Sequence, residues 1–398
     1  MLTSLSLIFL VGLLLAAVCQ FIKLPRIIGM LLTGIILGPF VLNCLDPSIL
    51  SISPDLRQMA LVIILIKAGL SLDLKDLKKI GVPAVLMSFL PAVFEIIAYV
   101  LFAPYLLHLN LAEAAVLGAV LSAVSPAVVV PRMLELMEEN YGVEKKIPQM
   151  ILAGSSLDDV FVIVLFTTFL GMAQGSSVSV MSFVDIPVSI VTGILLGALA
   201  GFILAHFFET RYANNNLVRN SMKVVIVMGV AFLLLAVEEW AKDYVAISGL
   251  LAVMSMALIL AMKSVPSVTT RLQEKFGKLW IAAEVILFVL VGAAVDIRYT
   301  LKAGGVAVLM IFIALIFRSV GVFLCLVKTK LNFKEKLYCT IAYIPKATVQ
   351  AAIGSVPLSM GLPCGMTVLS VAVLSILITA PLGAMGMDHT YKKLLKKD

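Results

Sequence analysis

Apolar residues form runs of about twenty along almost the whole chain, and short polar or charged segments separate these runs. A helix of that length spans the roughly 30 Å hydrocarbon core of a bilayer. The pattern therefore predicts an all-α polytopic membrane protein with thirteen spans. Their approximate bounds are 4–22, 27–44, 56–72, 80–104, 111–136, 147–171, 186–208, 221–238, 244–262, 279–295, 303–327, 337–358 and 366–388.

Composition supports one transmembrane domain over residues 1–398, embedded in a lipid bilayer. Hydrophobic residues make up 62% of the chain and charged residues only 13%, about half the charged fraction of a soluble domain. The first apolar run lacks the basic segment and the small-residue cleavage site of a signal peptide, so we interpret it as the first membrane helix.

The positive residues indicate the orientation. If the N-terminus is outside and the C-terminus inside, most of the 30 Lys and Arg fall in inner loops or the tail. The outer loops then contain only Arg57, Lys242, Arg298 and Lys302. Because inner loops of membrane proteins are enriched in Lys and Arg, this orientation is the predicted one. The net charge of +7 thus reflects topology, and we predict no nucleic-acid partner. A bacterial inner membrane is the expected location.

A few charged residues lie inside the predicted spans, where each is costly. They are Lys67, Glu95, Asp158, Asp159, Glu284, Arg318 and Lys346. Asp158 and Asp159 lie roughly 17 Å along their span, near the bilayer centre. An acid at that depth costs at least about 2.5–3.5 kcal/mol on insertion scales. The pair is therefore predicted to hold protons or a metal cation.

Two weak sequence matches indicate an internal repeat. Residues 27–31 resemble 247–251, and residues 68–73 resemble 291–296, at offsets of 220 and 223. A shift of seven spans inverts the second copy, so spans 1–6 are predicted to recur upside down as spans 8–13.

Prolines at matching places in the two copies predict broken helices. Ser125-Pro126 in span 5 and Pro345-Lys346 in span 12 are 220 residues apart. Because proline removes a backbone donor, both helices are expected to break there and to cross near the membrane centre. Glu95 and Arg318, which are 223 apart, occupy equivalent places in the two copies.

Three segments carry a family resemblance: LSAVSPAVVVPRM (121–133), YGVEKKIPQMILAGSSLDDV (141–160) and AYIPKATVQAAIGS (342–355). With these motifs the chain resembles monovalent cation:proton antiporters, and in particular bacterial relatives of the NHA-type sodium/hydrogen exchangers. The resemblance implies a homodimer that works by an elevator mechanism. Residues 1–79 and 210–300 would form the scaffold and dimerisation helices, 80–172 and 301–388 the ion-transport core, and 173–209 a linker helix.

The resemblance also implies a site. Asp159 would be the main ion ligand and Asp158 its partner. Ser155 precedes Asp159 by one helical turn on the same face, and span 5 near Ser125 would complete an oxygen site for Na⁺. Protons and Na⁺ or Li⁺ would compete for the two carboxylates, with no cofactor and no catalysis. A K⁺/H⁺ antiporter, a sodium-coupled symporter of similar architecture and a sensor that binds Na⁺ without moving it remain alternatives.

The other buried charges are expected to support this site. Arg318 is within reach of either Glu95 or Asp158, and the resemblance favours Glu95. Lys346 is expected to neutralise the negative ends of the broken half-helices. Lys67 and Glu284, near the inner boundary, would sense pH or gate access, unless they are simply solvated.

Arg318 also bears on stoichiometry. The resemblance implies lysine at this place in electrogenic relatives, whereas arginine does not deprotonate in proteins. One Na⁺ would then exchange for one proton. The Asp-Asp pair indicates the opposite, because in the family it accompanies electrogenic exchange.

Overall fold

The computed structural model describes residues 1–71, 82–174, 180–213, 218–241, 244–245 and 247–398. Apart from one isolated bridge between Tyr141 and Lys397, the regular secondary structure in this part of the chain is helical. Lys242, Asp73 of the predicted repeat and the predicted scaffold–core boundary at residues 79–80 lie outside the described residues.

The helices follow one another with short connections. They are α1 (Leu2–Phe21), α2 (Arg26–Leu37), α3 (Pro47–Ser51), α4 (Ser53–Ser71), α5 (Val82–Met87), α6 (Leu90–Leu106), α7 (Leu111–Ser122), α8 (Pro126–Glu138), α9 (Ile147–Gln174), α10 (Val180–Ala213), α11 (Asn220–Ala241), α12 (Gly249–Lys263), α13 (Pro266–Ala293), α14 (Ile297–Cys325), α15 (Phe333–Ala342), α16 (Thr348–Ile353), α17 (Val356–Ser359) and α18 (Gly365–Leu394).

The described helices identify a multi-pass membrane protein. Nine helical stretches among them are long and apolar enough to cross a bilayer, and α2 and α12 are shorter apolar helices. Each of the thirteen predicted spans contains helix. The number of crossings, their orientation and the inverted repeat stay predictions.

The chain folds into two compact units. The first comprises Met1–Arg57, Leu74–Ala173 and Val285–Asp398, and the second comprises Gln58–Asp73 and Gln174–Glu284. In the second unit α10 packs closely on α12. Gly193, Gly197 and Gly201, each one turn apart, lie against the backbone of residues 248, 252 and 256. Small residues at this spacing let two membrane helices approach closely.

In the first unit both of the predicted interruptions are present. Span 5 is divided into α7 and α8 by residues 123–125, and span 12 is divided into α15 and α16 by residues 343–347. The proline at 126 begins α8, where a missing backbone N–H costs nothing.

The two interruptions lie against each other. Ser125 N–H donates to the carbonyl of Pro345 at 2.8 Å, and the Ser125 hydroxyl is 3.4 Å from the Thr348 hydroxyl. The Lys346 N–H donates to the Thr379 hydroxyl at 3.0 Å. Because the hydrocarbon core offers no water, backbone groups freed by a broken helix need partners inside the protein. The breaks supply such partners to each other, and Thr379 of α18 supplies one more.

Gly383 makes room for the second break. A Cβ at this position of α18 would overlap the ring of Pro345. We expect Gly383→Ala to destabilise the protein by about 1–3 kcal/mol, the usual cost of overpacking a core. Thermal melting in detergent measures this. Gly229→Ala is the control, because a Cβ there meets nothing within 4 Å. Equal melting temperatures for the two variants would contradict the prediction.

Candidate functional site

The C-terminal end of α7 is capped by side chains from the second half of the chain. Three successive backbone carbonyls there each accept a hydrogen bond from a buried donor. The pairs are Leu121 with Lys346 Nζ, Ser122 with Arg318 Nη1, and Ala123 with Gln350 Nε2 at 2.8 Å. The last carbonyls of a helix have no partner within it, and they form the negative end of its dipole. Two cations and an amide are therefore well suited to this position.

The same two cations join two acids in a buried network. Glu95 contacts Arg318 Nη1 at 2.9 Å through one oxygen and Lys346 Nζ at 2.6 Å through the other. Arg318 Nη2 contacts Asp158 at 3.1 Å. These side chains are at most 2% exposed. The Glu95–Arg318 and Arg318–Asp158 pairs, which the sequence presents as alternatives, therefore coexist.

Asp158 and Asp159 are bound incompletely. One oxygen of Asp158, Oδ2, accepts the Val124 N–H at 2.8 Å in addition to Arg318. Oδ1 of Asp158 and Oδ1 of Asp159 are buried, and neither has a hydrogen-bond partner among the described residues. A buried acceptor without a partner costs about 1–3 kcal/mol, and more when it is charged. A cation or a proton at these oxygens would remove that cost.

The charges around the pair do not cancel. Arg318 and Lys346 offset Glu95 and Asp158, whereas none of the described ion pairs involves Asp159. With every group ionised, the described cluster carries one net negative charge. One monovalent cation or one proton neutralises it.

The predicted hydroxyl ligands lie in different settings. Ser155 is buried and its hydroxyl donates to the Leu152 carbonyl within α9 at 3.1 Å. Ser125 is buried at the contact between the two breaks, beside Thr348. No described hydrogen bond joins either hydroxyl to Asp159, so their role as ion ligands stays a prediction.

Lys67 and Glu284 belong to the second compact unit, whereas the charge network belongs to the first. Lys67 Nζ lies 5.9 Å from the centre of the Trp280 ring, and Glu284 follows Trp280 by about one helical turn on α13. Glu284 is 5% exposed. Their proposed role in sensing pH stays a prediction.

Two residues of the site are not predicted from the sequence. Gln350 is 1% exposed and donates to the Ala123 carbonyl of the first break, although the sequence presents its segment only as part of a motif. A neutral amide in the middle of a span also carries a burial cost, which is the signal that identifies it. Tyr343 accepts a hydrogen bond from Arg318 Nε at its carbonyl, at 2.6 Å. Its hydroxyl lies against Gly154, where a Cβ would overlap it.

A membrane protein in which two interrupted helices meet beside buried charges has the architecture of secondary transporters. Residues 5–391 match the family described as "Sodium/hydrogen exchanger, transmembrane". The chain therefore belongs to the sodium/hydrogen exchanger family, which confirms the resemblance to monovalent cation:proton antiporters.

Among relatives, human sodium/hydrogen exchanger 9B2 is 36% identical over 384 residues, covering 94% of this chain and 70% of that protein. Human sodium/hydrogen exchanger 9B1 is 32% identical over 389 residues, covering 94% and 73%. The structure of the sodium proton antiporter MjNhaP1 from Methanocaldococcus jannaschii at pH 8 matches with a TM-score of 0.82, covering 99% and 98% of the two chains. At 22% sequence identity, this likeness shows the shared fold alone.

Removing the charge of Glu95 should destabilise the protein. Glu95→Gln leaves Arg318 and Lys346 in the core without their shared acid, and losing one member of a buried ion pair costs about 3–5 kcal/mol. Equilibrium unfolding in mixed micelles measures the change. Asp388→Asn is the control, because Asp388 and Arg132 form a pair in which the side chains are 41% and 21% exposed. Such a pair contributes about 0–1 kcal/mol. Equal losses would contradict the prediction.

Proposed function

We propose that this protein is a secondary antiporter that exchanges Na⁺ or Li⁺ for H⁺ across the membrane. The observation that carries this proposal is the charge of Asp159, which no described ion pair offsets, together with the buried Oδ1 atoms of Asp158 and Asp159, which have no hydrogen-bond partner among the described residues. Membership of the sodium/hydrogen exchanger family and the names of the relatives support the same ions. The chemistry is ion exchange, not catalysis, and it needs no cofactor.

Competition for Asp159 and Asp158 provides the coupling. When a proton leaves, the carboxylates attract a hard monovalent cation, and when a proton returns it displaces the cation. The hydroxyls of Ser155 and Ser125 are the proposed additional oxygen ligands. With either Na⁺ or a proton bound, the site is close to electrically neutral, and so both of these forms can cross the hydrophobic layer. The form with neither ion carries an uncompensated negative charge and is disfavoured.

Movement is proposed to follow the elevator scheme in a homodimer. Residues 80–172 and 301–388 would move as the core against a scaffold of 1–79 and 210–300, with 173–209 as linker. The buried network supports this division, because all its members come from the two core segments. They are Glu95, Asp158, Arg318, Lys346 and Gln350. Hydrogen bonds and ion pairs at these distances would move as one body.

The proposed location is a bacterial inner membrane, with the N-terminus outside and the C-terminus inside. The Lys and Arg distribution supports this orientation.

Neutralising Asp159 should abolish exchange. Proteoliposomes containing a pH-sensitive dye are given Na⁺, Li⁺ or K⁺ pulses, and proton flux is followed. Wild type should respond to Na⁺ and Li⁺, whereas Asp159→Asn and the double variant Asp158→Asn/Asp159→Asn should fall to the leak of empty liposomes. Exposed Asp55→Asn is the control and should keep its activity. A K⁺ response, or cation uptake without proton flux, would indicate K⁺/H⁺ exchange or symport instead. A double variant that exchanges at the wild-type rate would contradict the proposal.

Exchange should be electroneutral. The Arg318 guanidinium is bound to the Tyr343 and Ser122 carbonyls as well as to Glu95 and Asp158. Because arginine keeps its proton, this position cannot supply a second exchanged proton. In liposomes clamped with K⁺ and valinomycin, the wild-type rate should not depend on membrane voltage. Arg318→Lys introduces a group that can release a proton, and its rate should become voltage-dependent. Voltage dependence in the wild type would contradict this stoichiometry.

A further inference from the structure

Gln350 and Asp158 bind opposite ends of one peptide group. The peptide bond between Ala123 and Val124 accepts from Gln350 Nε2 at its carbonyl and donates to Asp158 Oδ2 at its N–H. Both hydrogen bonds measure 2.8 Å. Gln350 is 1% exposed and Asp158 is fully buried. A side chain from the second break is thus connected to the acid through a single rigid plane.

The orientation of the Gln350 amide is fixed by a third contact. Its Oε1 accepts the Ala347 N–H at 2.8 Å, and only an oxygen can do so. The NH₂ group must then face the Ala123 carbonyl. The amide is therefore held at both ends and has little freedom to rotate.

The 123–124 peptide itself has no helical support. Ala123 is extended, with φ −73° and ψ 141°, and lies just beyond the end of α7. A peptide within a helix is held by the hydrogen bonds of its neighbours, whereas this one depends on its two side-chain partners. If the Gln350 donor is lost, the carbonyl is left unpaired, and the peptide is free to turn its N–H away from Asp158.

We propose that Gln350 is a positioning residue for the cation. It holds the 123–124 peptide so that the Val124 N–H and Arg318 keep Oδ2 of Asp158 engaged. Oδ1, which has no described partner, then stays directed to the ion next to Asp159. The inference rests on the proposed function, and in it Gln350 contributes to the Na⁺ affinity of that same site. Chains of hydrogen bonds through a peptide also polarise one another, which strengthens the contact to the carboxylate.

A purely structural role for Gln350 makes a different prediction. Through its Oε1 the residue caps the start of α16, so its removal would lower stability. Lower stability reduces the amount of active protein, and thus the maximal rate, without changing the Na⁺ concentration at half-maximal rate. The split between KM and the maximal rate therefore separates the two roles.

The test compares Gln350→Met with Ser375→Ala at one fixed pH. Methionine keeps the volume of glutamine and lacks both hydrogen bonds. Ser375 is an equally buried polar residue of the same unit, and its described hydrogen bond runs to the Ala372 carbonyl of its own helix. Na⁺-dependent proton flux in proteoliposomes gives KM and the maximal rate, and the Na⁺-induced rise in melting temperature gives an affinity that needs no transport. If Gln350→Met fails to reconstitute, Gln350→Leu, which also lacks both hydrogen bonds and adds no charge, takes its place.

We expect the Gln350 variant to raise KM for Na⁺ about threefold to tenfold, the size of one lost hydrogen bond, with most of the maximal rate retained. The Na⁺-induced rise in melting temperature should weaken in parallel, and Ser375→Ala should change neither. An unchanged KM, or failure of both Gln350 variants to fold beside a folded Ser375→Ala, would overturn the inference. A wild type without exchange would overturn the proposed function, whereas Na⁺-dependent melting would still test Gln350.

Discussion

The structure of this site depends on three carbonyls that cannot reach water. Where α7 ends inside the protein, the buried carbonyls of residues 121–123 need donors from elsewhere in the chain. Lys346, Arg318 and Gln350 supply them. Two of these donors carry a positive charge, and burying a charge without an acid is more costly than leaving a carbonyl unpaired. Glu95 and Asp158 follow from that requirement, since they hold the two cations in place. The break, its caps and its acids therefore form one interdependent unit.

The adjacent aspartates then have different roles. Asp158 is bound on one side by Arg318 and the Val124 N–H, and it belongs to the balanced part of the network. Asp159 adds a charge that no described ion pair offsets. Buried ion pairs rarely stabilise a fold relative to apolar residues of the same size, so stability alone does not explain this arrangement. In the proposed exchange of a proton for Na⁺, Asp159 needs a positive charge from the transported ion. It lies next to Asp158, whose charge is already compensated.

Apolar runs in the sequence predict the helices of this fold, for a physical reason. In a bilayer every spanning segment must satisfy its own backbone, which makes helices easy to recognise from apolar runs. Prolines 126 and 345 marked the breaks, and the cost of burial singled out Asp158, Asp159, Glu95, Arg318 and Lys346. The partners were harder to predict, because a helix position gives no information on which neighbouring helix faces it. The sequence therefore presented Glu95 and Asp158 as alternatives for Arg318, although a guanidinium has enough donors for both.

The burial cost of charged residues does not identify Gln350, because its amide is neutral. One of its partners, the Ala123 carbonyl, belongs to the other break, and no pattern of side chains reveals a backbone partner more than two hundred residues away. The division into scaffold and core depends on movement, the dimer on a second copy and the orientation on the membrane. All three stay proposals.

The choice of arginine at position 318 connects the fold with the stoichiometry. The guanidinium uses its fork to reach four acceptors on four separate segments, namely Glu95, the Ser122 carbonyl, Asp158 and the Tyr343 carbonyl. Lysine has three donors on one nitrogen and cannot serve all four, so it would leave at least one of these groups unpaired. Arginine, which can satisfy all four acceptors at the broken helix, is thus also the residue that does not release its proton. With the Arg318 charge committed to the fold, the arginine cannot supply an exchanged proton, and the two aspartates are the proposed exchanging groups. The Asp-Asp pair, taken alone, indicates a second transported charge, but here the second aspartate is already neutralised by the arginine.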